Sequence, residues 1–134
     1  MTRGFVLDSF AVMAWLKNSE PSAGKVNGIL VSGMPIAMSA INVGEVLYTL
    51  QKRFSAQYAD LFLARVPNMP VEIVTPDFDD IIEAAKIKAR YPLAYADAFA
   101  AQLSMKRRFP LVTGDPELRA VSGLELVWLD PDLV

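Results

Sequence analysis

Five short apolar runs alternate with helical stretches along the chain, and that alternation limits the fold more than any other feature. The runs are "GFVLD", "MPIAMSA", "PVEIVT", "FPLVTGD" and "LELVWLD". Each has the length and composition of a buried strand. Two helices are expected after the first run. "SFAVMAWLKN" places Phe10, Met13, Ala14 and Lys17 at three- and four-residue steps, and "PSAGKVNGILVSG" opens at Pro21 and closes near Gly33. "INVGEVLYTLQKR" and the stretch from Ser55 to Arg65 predict two more. "PDFDDIIEAAKIKAR" begins with proline and acids and ends in lysine and arginine, so both ends suit the helix dipole. Pro92 stops that helix, another carries Asp97 and runs to Arg107, and "PELRAV" is a short one. The pattern predicts an α/β domain: a mainly parallel central sheet between two helical layers, one domain over residues 1–134. Such sheets bind ligands at the carboxyl ends of their strands.

Composition narrows the chemistry. The chain has no cysteine and no histidine. That removes thiolate and imidazole nucleophiles, Ser-His-Asp triads, Cys/His zinc sites and disulfides. A net charge of −2 makes any nucleic-acid contact local rather than global. The apolar amino terminus is interrupted by Asp8 and reads as strand and helix, not as a signal peptide. No apolar run is long enough to span a bilayer, so a cytoplasmic protein is expected.

Four acids stand out. Asp8 ends the first strand, and Asp115 lies just past "LVT"; both belong at the carboxyl edge of the sheet. Each could equally be a helix N-cap. Glu45 lies within "INVGEVLY", and Asp97 sits among Ala94, Ala96, Ala98, Ala100 and Ala101. A carboxylate in such surroundings faces water or something that compensates its charge. Several carboxylates converge only where a cation holds them, and oxygen ligands select Mg²⁺ or Mn²⁺. A site of that kind performs phosphoryl chemistry.

"VLDSFAVMAWL", "INVGEVLYTL", "YADAFAAQLS" and "LVTGDPELRAV" resemble, in order and spacing, the four motifs of PIN-domain nucleases, and in particular the VapC-type toxins of toxin–antitoxin pairs. The resemblance spans essentially the whole chain. It implies a PIN-like fold and a metal-dependent ribonuclease with Asp8, Glu45, Asp97 and Asp115 as catalytic and metal-binding acids. Ser9 and Thr113 would support them. It also implies Mg²⁺ or Mn²⁺ as cofactor, an RNA substrate and a cognate antitoxin as partner.

Lys88, Arg90, Lys106 and Arg107 flank Asp97 at two helix ends, where they either complement dipoles or grip an RNA backbone. Trp15, Tyr91 and Tyr95 either stack bases or pack in the core. The high apolar fraction predicts more apolar surface than one core hides, hence a homodimer or another partner; the resemblance implies that an antitoxin helix would dock in a groove built from Ile29, Leu30, Val31, Leu47, Leu50, Leu61 and Leu63. Two rivals differ in class. One is a PIN-like binding module without catalysis. The other is a signalling receiver domain, disfavoured because Leu7-Asp8-Ser9 lacks an acidic pair and no lysine follows "LVTGD".

Overall fold

The computed structural model describes residues 3–129; the tail acids Asp130 and Asp132 lie outside them. Five strands form one sheet: β1 (Phe5–Leu7), β2 (Ile36–Ser39), β3 (Glu72–Val74), β4 (Leu111–Thr113) and β5 (Leu126–Trp128). Their order is β3-β2-β1-β4-β5 and every pairing is parallel, where a mainly parallel sheet was expected. Six α-helices flank it: α1 (Ser9–Leu16), α2 (Ser22–Leu30), α3 (Ala40–Arg53), α4 (Ala56–Arg65), α5 (Phe78–Arg90) and α6 (Tyr95–Arg107). "PELRA" forms a 3₁₀ turn over Pro116–Ala120, and a second one at Val66–Asn68 has no counterpart in the sequence reading.

Strand residues alternate between the two faces, so the sheet separates two cores. Leu7, Ile36, Met38 and Val112 pack with Val12, Val26, Val46 and Phe62 of α1 to α4. Val6, Ala37 and Leu111 pack with Ala84 of α5 and Ala98, Phe99 and Ala101 of α6. The result is the three-layer α/β/α domain that the alternation predicts. The alanines of α6 let its backbone lie close against the sheet, and Ala98, Ala100 and Ala101 are wholly buried.

Helices α1, α3, α4 and α5 start on Ser or Asp side-chain caps, whereas α2 and α6 have none among the described residues. Ser39 accepts from Ile41 N–H for α3 and Ser55 from Tyr58 N–H for α4, while Asp77 and Asp80 form a reciprocal capping box for α5. The strand order turns at β1, with β2 on one side of it and β4 on the other. Chain connections leave β1 and β4 in opposite directions there, which opens a crevice beyond their carboxyl ends.

Candidate active site

Asp8 and Asp115 stand at that crevice, one directly after β1 and the other two residues after β4. Each is an N-cap as well. Asp8 Oδ1 accepts from Ala11 N–H at 2.8 Å to start α1, and Asp115 Oδ1 accepts from Glu117 N–H at 3.0 Å to start the 3₁₀ turn. Thr113 fixes the second turn, since its Oγ1 accepts from Asp115 N–H at 3.0 Å. One oxygen of Asp8 is thus used by the fold. The other, Oδ2, is buried with no hydrogen-bond partner among the described residues.

Asp97, in the first turn of α6, is buried, and it lines one cavity of about 530 Å³ together with Asp115, Glu45 and Ser9. Ser9 Oγ donates to Glu45 Oε1, which ties the start of α1 to the first turns of α3. Asn42, one turn before Glu45, is fully buried and donates from Nδ2 to Ala96 O at 3.1 Å. That bond fastens α3 to α6 at the residue preceding Asp97.

The electrostatics agree with this crowding. Burial, then the Asp115 carboxyl as charge and hydrogen-bond partner, then Asp8 and Glu45, push Asp97 up to about 8. Burial pushes Asp8 up to about 7; the Thr113 hydroxyl, close by but not in hydrogen-bond geometry with Oδ2, and Ala11 N–H oppose the rise, and the charges of Asp115 and Glu45 add to it. Four carboxyl groups therefore feel one another at one sheet edge. As the side chains are oriented, no three acids among the described residues are disposed to share an ion. Like charges repel, and Glu45 is turned onto Ser9. The donor set nonetheless fits a hard divalent cation. It is all oxygen, it includes the orphaned Asp8 Oδ2, and its charges lack compensation.

The structure does not bring the flanking basic residues to this cavity. Lys106 Nζ lies 2.7 Å from Asp80 Oδ1, and Arg107 is bidentate to Glu72 at 3.1 and 2.9 Å. Arg90 and Lys106 line a separate cleft between α5 and α6, and Lys88 is exposed. The cations that do line the acidic cavity are Lys17 and Arg53, which the sequence reading did not connect with it. Trp15 is half-buried under the Arg65 guanidinium, 4.4 Å away. The Tyr91 hydroxyl accepts from Ser122 N–H, and only Tyr95, 45% exposed, leaves much of its ring open.

A second, more apolar groove of about 320 Å³ runs between α1, α3 and α4, lined by Leu16, Lys17, Leu50, Phe54, Tyr58, Leu61, Phe62 and Arg65. Of the residues expected to form a docking groove, Leu50 and Leu61 line it. Leu30 belongs to the core, Ile29 and Leu47 pack against it, and α2 contributes nothing to the groove. Lys17 lines both cavities, so the two adjoin.

Comparison with known proteins agrees with the fold. The structure resembles Mycobacterium tuberculosis VapC20, a Sarcin–Ricin loop cleaving toxin (TM-score 0.77, 18% identity, 93% of this chain and 99% of that one). It also resembles DNA-bound VapBC from Salmonella typhimurium (0.73, 18%, 96% and 99%). FitAcB from Neisseria gonorrhoeae is a third (0.71, 14%, 93% and 97%). Among curated proteins, glycogen synthases of Francisella philomiragia and Francisella tularensis subsp. novicida are 32% identical over 124 residues. That match covers 92% of this chain, which spans about a quarter (24%) of their length. Residues 5–124 match the PIN domain, a match that takes in both strands of the crevice and all four acids, and the chain belongs to the PIN domain family.

Proposed function

We propose that the chain is a metal-dependent endoribonuclease of the VapC toxin type, neutralised by a cognate antitoxin. One observation carries the reading: Asp97, Asp115 and Glu45 meet in one cavity beside the orphaned Asp8 Oδ2, at the switch point of a parallel sheet. A fold has no need to crowd buried carboxylates unless something positive is to be held there. Asp8, Asp97 and Asp115 would hold Mg²⁺ or Mn²⁺, with Glu45 as a further ligand or as the group that orients water. When bound, the ion polarises the phosphate and makes its water more acidic. Hydrolysis then adds water across one P–O bond: the phosphorus gains the hydroxyl, and the departing oxygen takes a proton. Ser9 anchors Glu45 at the cavity wall, and Thr113 holds the turn that presents Asp115.

The toxin–antitoxin complexes among the similar structures support the partner reading. An amphipathic antitoxin helix seated in the apolar groove would reach the acidic cavity past Lys17 and could place a basic side chain among the carboxylates. A second copy of the chain would cover the exposed Phe78, Ile81 and Ile82 on α5. The glycogen synthase likeness covers too little of those enzymes for their activity to be carried over, and no feature of the cavity favours it.

Asp97→Asn tests the reading, because it removes ligand charge with little change of shape. Mg²⁺- or Mn²⁺-dependent cleavage of RNA should fall by at least 10²-fold while the far-ultraviolet dichroism stays that of the parent. Undiminished cleavage by a pure sample of the variant would sink the assignment.

A further inference from the structure

The acidic cavity continues past its carboxylates. Ser9, Met13 and Lys17 follow one another at four-residue steps along α1, and Glu45, Thr49 and Arg53 do the same along α3; all six line it. Residues four apart share a helix face, so the cavity is a groove between two helical stripes. Both helices leave the carboxyl edge of the sheet, from the parallel neighbours β1 and β2, and run the same way. Each carries its groove-lining polar residue near its start and a cation at its end. With a rise of 1.5 Å per residue, Lys17 lies about 12 Å down α1 from Ser9, and Arg53 about 12 Å down α3 from Glu45.

These two cations are uncommitted. Lys86, Lys106 and Arg107 make the ion pairs found among the described residues, and neither Lys17 nor Arg53 is part of one. Glu20 also reaches the groove, but its Oε1 accepts from Gly24 N–H at 2.7 Å. One end of the groove is therefore strongly negative, and the other carries Lys17 and Arg53, with no salt bridge to either among the described residues, beside the single carboxylate of Glu20.

We propose that Lys17 and Arg53 form a subsite for a backbone phosphate of single-stranded RNA, on the nucleotides flanking the bond that is cut. The proposal rests on the nuclease reading above and says where the strand runs. A polyanion drawn to a carboxylate cluster is repelled everywhere that no cation compensates it. The scissile phosphate has the acid-held ion, and a phosphate farther along the strand has these two side chains. Arginine offers a planar fork that matches phosphate, and lysine a point charge. Contacts of this kind fix register and carry no base information, so the subsite sets which way and how far the strand lies.

The test uses Lys17→Gln/Arg53→Gln, with Lys25→Gln/Lys52→Gln as a control that removes equal charge outside the groove. Both are made in the parent chain and in the Asp97→Asn background. Binding of a fluorescein-labelled single-stranded RNA to the Asp97→Asn proteins is followed by anisotropy across a salt series. The groove pair should weaken binding about tenfold or more and flatten the slope of log K against log salt by about 0.7, the value for one lost single-strand phosphate contact. The control pair should do neither. In the parent background KM should rise with kcat retained, since the contact is the same in ground and transition states. Equal affinity and equal slope for groove and control pairs would overturn the subsite, even if cleavage still depends on Asp97. Weakened binding in a protein that cleaves no RNA would overturn the nuclease reading and leave the subsite standing. Loss of antitoxin co-purification with RNA binding intact would assign the cations to the protein partner and overturn the RNA assignment.

Discussion

Asp8 shows how one side chain can cap a helix and still keep a carboxylate oxygen unspent. Its Oδ1 starts a helix while its Oδ2 stays unpaired at the site. The two readings of Asp8 and Asp115 that the sequence leaves open, helix cap or site acid, are therefore compatible rather than exclusive. The crowding has a consequence for stability. Asp8 and Asp97 are raised from 3.8 to about 7 and about 8, so the folded chain binds more protons than the unfolded chain between those values. Stability that their neutral forms allow is complete below about pH 4 and is lost as pH rises through 7 and 8. Glu72 and Asp80, held low by Arg107 and Lys106, act with the opposite sign and only at more acidic pH. The melting temperature of the metal-free protein should fall between pH 5 and pH 8.5. Asp97→Asn should remove part of that fall and stabilise the protein at pH 8.5 by roughly 1–3 kcal/mol, and Mg²⁺ should restore the parent. Calorimetry across this range checks it; a flat profile would contradict the crowding. At this scale the acids are legible in the sequence because each stands where its surroundings cannot neutralise it. Lys106 and Arg107 are not, because their partners Asp80 and Glu72 lie 26 and 35 residues away and only the folded chain joins them.

Among the elements, every strand and α-helix is visible in the sequence as a change of hydrophobic period or as a proline or capping signal. The relation between helices is not. "INVGEVLY" reads as an apolar phrase around one acid, yet Asn42 within it is the fastener between α3 and α6. An asparagine on a helix gives no sign of which backbone carbonyl it will meet, since that depends on the crossing of two helices. Asn42→Ala should remove the bond between α3 and α6 and leave a void in its place, costing about 1–3 kcal/mol in urea unfolding. Its loss should also reduce cleavage more than stability alone accounts for, because Glu45 and Asp97 sit on the two helices it joins. Full cleavage by the folded variant would show that the helices keep their register without it.

For the molecule as a whole, the sequence predicts apolar surface beyond what one core hides, and the structure gathers much of it in two regions, with Val31 after α2 and Tyr48 on α3 exposed outside them. Phe54, Tyr58, Leu61 and Leu63 are each more than half exposed on and beside α4, and Phe78 is 74% exposed at the start of α5. The sequence overestimated α2, because amphipathic spacing alone does not tell a groove-lining leucine from a core one; Leu30 is only 8% exposed. Leu61→Glu puts a charge into the apolar groove and away from the carboxylates. Co-expressed with the small reading frame beside its gene, the parent should co-purify with that protein. The variant should lose it and remain toxic, with cleavage by the isolated enzyme unchanged. Retained co-purification by Leu61→Glu would place the antitoxin elsewhere.

The pairing of β1 with β4 reaches further than architecture. Val6 pairs with Leu111, so the strands that present Asp8 and Asp115 are separated by most of the chain. Parallel contacts of such separation form late, after the intervening helices have collapsed. A chain still being synthesised carries Asp8, Glu45 and even Asp97 before it has any β4 to close the crevice. Only when the fourth strand has been made can Asp115 come to stand beside Asp8, so a chain cut short before it lacks one whole side of the crevice.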